Sequence, residues 1–185
     1  MHGPYLPAQA AVSVSGRKVK LGYWNIRGLA HVPRLLLAFH KVPFDNFTYT
    51  NGEKWFKEDK LHMGLDFPNL PYLIDGEYNL TESSAIERYI INKWGQSDLL
   101  GKNAKDNAQM ESFLSLFTEI QGAVRGLFFN KDHANDKGPL IEKYKPKLDL
   151  LNKFVGNNNF VLGYLTLADF SVSEFSNYIE AVYPE

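Results

Sequence analysis

The spacing of hydrophobic residues changes character once along this chain, near residue 95, and that change constrains the architecture more than any other feature. Before it, short alternating runs interleave with helical ones. Val19, Leu21 and Tyr23 alternate in period two and predict a strand over 19–24. Beyond a turn at Gly28, the residues Leu29, Val32, Leu35, Leu36 and Phe39 recur at helical spacing, with Pro33 in the first turn, where its missing N–H costs little. Residues 44–50 read as a second strand, and 55–62 as a short helix or loop. Two short strands at 71–74 and 78–80 flank Asp75-Gly76, a hairpin signal. Ser84 and Glu87 match a capping box that opens a helix running to Lys93. After a polar stretch from Gly95 to Ala104, only the helical period remains. Met110, Phe113, Phe117, Ile120, Val124 and Leu127 repeat every three or four residues, as do Ile141, Tyr144, Leu148, Leu151 and Val155. Pro139 suits the start of the second of these helices, and Pro146 kinks it or delays its start. Thr166 and Asp169 form another capping box, ahead of Phe170 and Phe175. The expectation is a disordered tail at 1–17, an α+β domain at 18–95 in the order β-α-β-(α)-β-β-α, a linker at 96–104 and an all-helical domain at 105–185.

Composition removes several function classes. Twenty basic and 21 acidic residues leave a net charge of −1, with no field favouring nucleic acid or an anionic membrane. No apolar run approaches the roughly 20 residues needed to span a bilayer. With zero cysteines among 185 residues, disulfides, a cysteine nucleophile and a cysteine-ligated metal are excluded, so any thiol chemistry uses a thiol supplied by a ligand. The acid-free leader carries Pro4 and Pro7, and its basic residues Arg17, Lys18 and Lys20 cluster at its end, which is not the pattern of a transit peptide. There is no G-x-G-x-x-G and no G-x-S-x-G, and the glycines of Gly95–Asn103 are one residue too far apart for a phosphate loop. The histidines lack H-x-x-x-H spacing, so no metal site is expected, and Asp132, His133 and Asp136 read as a solvated loop.

Three segments carry chemistry. In Leu21-Gly22-Tyr23-Trp24-Asn25-Ile26-Arg27-Gly28-Leu29-Ala30, a phenol stands at a strand end just before a helix N-terminus, a position suited to an anion. In Phe67-Pro68-Asn69-Leu70-Pro71-Tyr72-Leu73-Ile74-Asp75-Gly76, a proline opens a strand, which signals a cis bond or an edge whose backbone is free for a ligand. In Leu80-Thr81-Glu82-Ser83-Ser84-Ala85-Ile86, an acid and a hydroxyl precede another helix. Glu82 can receive an ammonium, while Ser83 and local N–H groups receive a carboxylate, so both charges of an amino acid are met at one place.

In order and spacing, these blocks resemble the cytosolic glutathione transferases, most closely the mu class, from about Val19 to Glu185. The resemblance implies a thioredoxin-like N-terminal domain followed by a helical one, glutathione as cosubstrate with no further cofactor, an electrophilic small molecule as the second substrate, a homodimer and a cytoplasmic location. It implies that Tyr23 is the catalytic tyrosine and Trp24 lines the glutathione site. Asn69, Leu70 and Pro71 hold the cysteinyl backbone with Pro71 cis, and Glu82, in place of the family's usual Gln, binds the γ-glutamyl end together with Ser83. Trp55 and Lys60 resemble the glycyl-end contacts, with one extra residue between them. Phe67 is the aromatic key for a partner subunit, Arg88 stacks on its equivalent across the dimer axis, Glu119 reaches the partner's glutathione and Phe129 falls at a substrate-pocket tyrosine. His31 reads as an ordinary first-turn residue.

Two departures accompany the resemblance. Gly52 stands where mu enzymes carry an arginine, leaving weaker glycyl-end binding or Lys54 as a substitute. The chain also stops at Tyr183-Pro184-Glu185, so the helical domain reads as incomplete. An incomplete sequence, a covering partner chain and loss of catalysis each account for that. The reading is a glutathione transferase, with a non-catalytic binding or structural subunit as its alternative.

Overall fold

The computed structural model describes residues 18–95, 97–131 and 133–182. The tail expected at 1–17 and the chain end at 183–185 lie outside the described residues.

Four strands form one sheet in the order β2-β1-β3-β4. Strand β1 (Val19–Trp24) pairs in parallel with β2 (Phe44–Tyr49) and antiparallel with β3 (Tyr72–Asp75), which turns into β4 (Tyr78–Thr81). The central strand β1 buries Val19, Leu21 and Tyr23, as the alternation predicts. Its opposite face is closed at Gly22 by the ring of Tyr72, where an added Cβ would lie 2.1 Å from the ring. Tyr72 is fully buried, stacks on Trp55 and meets Tyr49 edge-on, so this face of the sheet is an aromatic layer. The hairpin has Asp75 paired with Tyr78, leaving Gly76 and Glu77 as its two turn residues. Gly76 supplies the positive φ of 67° that a tight hairpin turn requires.

Helix α1 (His31–Phe39) buries Val32, Pro33, Leu36 and Leu37. Leu29 and Phe39, placed on its apolar stripe from sequence, instead remain partly exposed, and Phe39 packs edge-on against Phe170 of the helical domain at 5.4 Å. Residues 54–59 form a π-helical turn that runs into the short α2 (Lys60–His62). Helix α3 (Ser83–Trp94) begins one residue earlier than expected, and no side chain caps it. The Ser84–Glu87 box is not formed. Glu82 occupies the capping position with a φ of 68°, and the Glu87 carboxyl turns inward to a site where only 13% of its side chain is exposed.

The segment between α3 and α4 is not featureless. It holds a 3-10 turn at Ser97–Leu100, and the Asn103 side chain accepts from the Lys105 and Asp106 N–H groups to cap α4 (Ala104–Leu127). All six residues of the predicted α4 stripe are buried. Helix α5 (His133–Val155) starts before either proline and passes through both Pro139 and Pro146. Its start thereby converts the supposed loop at His133 and Asp136 into a first helical turn, while Asp132 lies outside the described residues. A proline inside a helix removes one backbone hydrogen bond. Here the helix is held by burial of Tyr144 and Leu151. Helix α6 (Leu167–Val182) opens as predicted, with Asp169 accepting from the Thr166 N–H and hydroxyl at 2.7 and 2.9 Å. The same carboxylate accepts from the Val161 N–H at 2.7 Å, tying the preceding loop to the helix start.

Among the described residues, no helix is long and apolar enough to cross a membrane, and no group of three or more His, Asp or Glu residues is arranged to hold a metal.

Candidate active site

Tyr23 sits one residue from the end of β1, where the chain leaves the sheet through a turn fixed by backbone bonds from Asn25 to Tyr49 and from Ile26 to Trp24. The chain then re-enters helix through Gly28–Ala30, and the Leu29 N–H donates to the Tyr23 hydroxyl oxygen at 3.2 Å. Gly28 is required twice over. Its φ is +43°, and a Cβ there would lie 2.6 Å from the Tyr23 ring and 2.7 Å from its oxygen. The ring is buried, and it borders a cavity of about 470 Å³. Residues 26–28 line one side of that cavity, and Arg125 on α4, Phe128 and Phe129 in the turn just after it, and Tyr178 on α6 line the other.

The second and third segments meet because β3 and β4 pair in the register Tyr72 to Thr81, which sets Pro71 beside Glu82. The Leu70–Pro71 peptide bond is cis. Asn69 braces this corner from both ends: its carbonyl accepts from the Leu70 N–H at 2.9 Å and its amide donates to Glu82 at 3.1 Å. Ser83 follows at the open N-terminus of α3, where backbone N–H groups lack intrahelical partners.

At the far end of the site, Trp24 packs on Tyr49 and Phe56, and the Lys60 ammonium lies 5.7 Å from the Phe56 ring centre. Trp55 is buried and stacked on Tyr72, so its face is committed to the core. Lys54, offered as a substitute for the missing arginine, is engaged with Asp59 at 3.2 Å and Glu58 at 3.5 Å. Asp59 is in turn the acceptor of the Tyr49 hydroxyl at 2.6 Å. Burial pushes its carboxyl up, but the bonds from Tyr49 and Lys54 outweigh burial and hold it below the ordinary carboxylate range.

The charges around the cavity come from both halves of the chain. Glu174 on α6 is buried and receives the Arg27 guanidinium through Nε at 3.2 and 3.1 Å and through a further Nη2 bond. This partnership raises the Arg27 pKa. His31 stands 3.5 Å from the same carboxylate, yet burial and the nearby Arg27 and Arg34 keep its pKa below the ordinary value. Burial and the neighbouring Glu174 carboxylate raise the Tyr178 hydroxyl. Sequence reasoning missed Arg27, Arg125, Glu174 and Tyr178. The paired Arg27 and Glu174 are 147 positions apart, and no local pattern joins them.

Residues 19–92 match the family model described as the glutathione S-transferase N-terminal domain. A glutathione S-transferase of Mesocricetus auratus is 35% identical over 162 residues, covering 83% of this chain and 72% of that protein. Glutathione S-transferase Mu 2 of Homo sapiens is 37% identical over 158 residues, covering 81% of this chain and 71% of its own length. The chain belongs to the glutathione S-transferase family. The crystal structure of the glutathione S-transferase from Ascaris lumbricoides shares the architecture, with a TM-score of 0.75 and 26% identity over 91% of this chain and 83% of the other.

On this glutathione S-transferase the remaining candidates lie apart from Tyr23. Phe129 is the exception, 81% exposed on the cavity wall. Phe67 stands 72% exposed on the loop before Asn69. Arg88 makes a two-pronged bond to Glu111 at 2.9 and 2.6 Å and a third to the Ser84 carbonyl. Glu119 is held by Lys147 at 2.6 Å on the α4–α5 side.

Proposed function

We propose that this transferase uses the Tyr23 hydroxyl to hold the thiol of glutathione as a thiolate for attack on electrophilic small molecules. The observation that carries this reading is the bond from the Leu29 N–H to the Tyr23 oxygen. An oxygen fixed by an incoming N–H keeps its own O–H free to donate, and here the hydroxyl borders the open cavity. The energetic task is modest. A thiol with a pKa of about 8.5 needs a drop of roughly 1.5–2 units, or about 2–3 kcal/mol, to be mostly ionised at neutral pH. One hydrogen bond to an ion supplies about 1.5–3 kcal/mol. The helix start behind Tyr23 adds to it. The thiolate forms a carbon–sulfur bond, the leaving group departs with its electron pair, and the thiol proton goes to solvent.

Glutathione lies along the corner built by the three segments. Glu82 takes the γ-glutamyl ammonium, and Ser83 with the α3 N-terminus takes its carboxylate. Asn69, Leu70 and Pro71 face the cysteinyl backbone. Trp24, the edge of Trp55 and Lys60 serve the glycyl end, where Lys60 is the cation with no carboxylate partner among the described residues. The electrophile sits against Phe129. Phe67 and Arg88 belong to a homodimer contact, across which Glu119 reaches the second glutathione. No further cofactor is required, and the site of action is the cytoplasm, as for the cytosolic transferases.

Tyr23→Phe tests this directly. It is expected to keep glutathione affinity within about twofold, since it removes one neutral hydroxyl. The conjugation rate with a neutral aryl halide near neutral pH falls about 10- to 100-fold, and the thiolate absorbance of bound glutathione appears only at higher pH. Full activity in that variant would remove Tyr23 from the mechanism.

A further inference from the structure

The cavity beside Tyr23 contains one cation, Arg125, that makes no ion pair among the described residues. Its lining is otherwise mostly apolar and aromatic: Ile26, Phe128, Phe129 and Tyr178. Three charged groups also face it, Arg27, Glu174 and Arg125. Arg27 and Glu174 are spent on each other through Nε and Nη2. Arg125, near the end of α4, is half-buried, and among the described residues no hydrogen bond or ion pair reaches its guanidinium. One acid approaches from a neighbouring element: Glu87 on α3 feels the Arg125 charge at longer range, but its ion-pair partner is Arg88 at 3.8 Å. A half-buried guanidinium without an ion pair is free to take a ligand, and its planar fork matches a carboxylate. The phenol oxygen of Tyr178, on the same wall, is buried and faces the Glu174 carboxylate.

We propose that the second substrate of this enzyme is an amphipathic electrophile bearing a carboxylate, with its apolar body against Phe128 and Phe129 and its carboxylate on the Arg125 guanidinium. This rests on the transferase reading above and adds the substrate class to it. The body fits because the cavity is lined by exposed aromatic rings, Phe128 standing edge-on to Tyr178 at 5.6 Å. The carboxylate fits because the other cation of the lining is already occupied. Arg125 is a specificity-determining residue in this scheme, while Tyr23 remains the group on the sulfur.

The test pairs a chlorodinitrobenzoate with its methyl ester, which share one reacting carbon and differ in charge. In each, a carbon–sulfur bond forms, the carbon–chlorine bond breaks and chloride leaves with the electron pair. Arg125→Gln is expected to lower kcat/KM for the carboxylate by about 10- to 50-fold, mostly through KM, and to change the ester by less than about twofold. Arg125→Lys keeps the charge and should retain much of the preference, and it covers the case in which Arg125→Gln folds poorly. Equal loss on both substrates would overturn the proposal and place Arg125 on the thiolate instead. No loss on either substrate would also overturn it. Binding is measured separately, without glutathione, with the unreactive nitrobenzoate and its methyl ester. Should neither chlorinated compound be turned over while nitrobenzoate binds in an Arg125-dependent way, the carboxylate site stands and the transferase reading fails. Should nitrobenzoate and its ester bind alike in the unaltered protein, the carboxylate site fails whatever the turnover.

Discussion

The sheet domain and the helical domain meet at the cavity beside Tyr23, but they build their sides of it by different rules. On the sheet side, positions are fixed by close approach. Gly22 lies under Tyr72 and Gly28 under Tyr23, each at a distance no Cβ tolerates. Glu82 is held at positive φ beside a cis Leu70–Pro71 bond. On the helical side, α4 presents a regular stripe to the core, and Arg125 in its last turn with Phe128 and Phe129 just beyond its end line the cavity. The first kind of wall suits a ligand whose shape never varies, such as glutathione. The second tolerates side-chain exchange at Phe128 and Phe129, because its frame is ordinary helix packing and these two rings are exposed. The difference teaches where change is affordable: the sheet side is sterically locked, and the helical side is open to substitution.

The largest expected effect breaks the locked side. Gly22→Ala places a methyl against a fully buried ring wedged between Trp55 and Tyr49, and it should cost about 3 kcal/mol or more in chemical denaturation. By contrast, Phe129→Leu on the open side should leave the unfolding midpoint within about 0.5 kcal/mol, since the ring is 81% exposed. Equal costs for the two would erase the distinction.

A second prediction sharpens it at the boundary between the domains. Burial pushes the Glu87 carboxyl up to about 7, with Glu111 adding to the rise and Arg88 and Arg125 opposing it. A carboxyl raised in the folded state is stabilising relative to its charged form only while it keeps its proton. Stability is therefore full below the unfolded value near 4.5, declines as pH rises from there and levels off above about 7. Glu87→Gln should remove this slope and stabilise the protein by on the order of 2–3 kcal/mol at pH about 8. Unfolding curves of both proteins across that range check it, and an unchanged slope would show that Glu87 titrates normally. The smallest effect belongs to the outer face of α5. Lys145 and Asp149 form an exposed pair, so Lys145→Ala should change stability by less than about 0.5 kcal/mol.

Elements set by nearby residues were legible in advance. The α4 stripe is a plain helical period, and the Thr166–Asp169 box closes within one turn. The same local logic misread α5, because packing of Tyr144 and Leu151 carries a helix across Pro139 and Pro146. It misread the start of α3 as well. There the acid at the expected box position is drawn into the domain boundary, and Glu82 caps with its backbone. For the site, the blocks around Tyr23, Pro71 and Glu82 stand out in sequence because each is a strand end or helix start with special residues.

The sequence by itself determined the order of elements, the absence of any cysteine nucleophile and the three short segments that form the sheet side of the site. Hydrophobic period, turn residues and caps act over a few positions, so they are written in the chain directly. Only the tertiary structure decided that Glu174 answers Arg27 across 147 positions, that Arg125 makes no ion pair among the described residues, and that Tyr23 faces Phe129 across a cavity. Those outcomes depend on which surfaces two domains bury against each other. Charge pairing across such a boundary has no period and no fixed spacing to read.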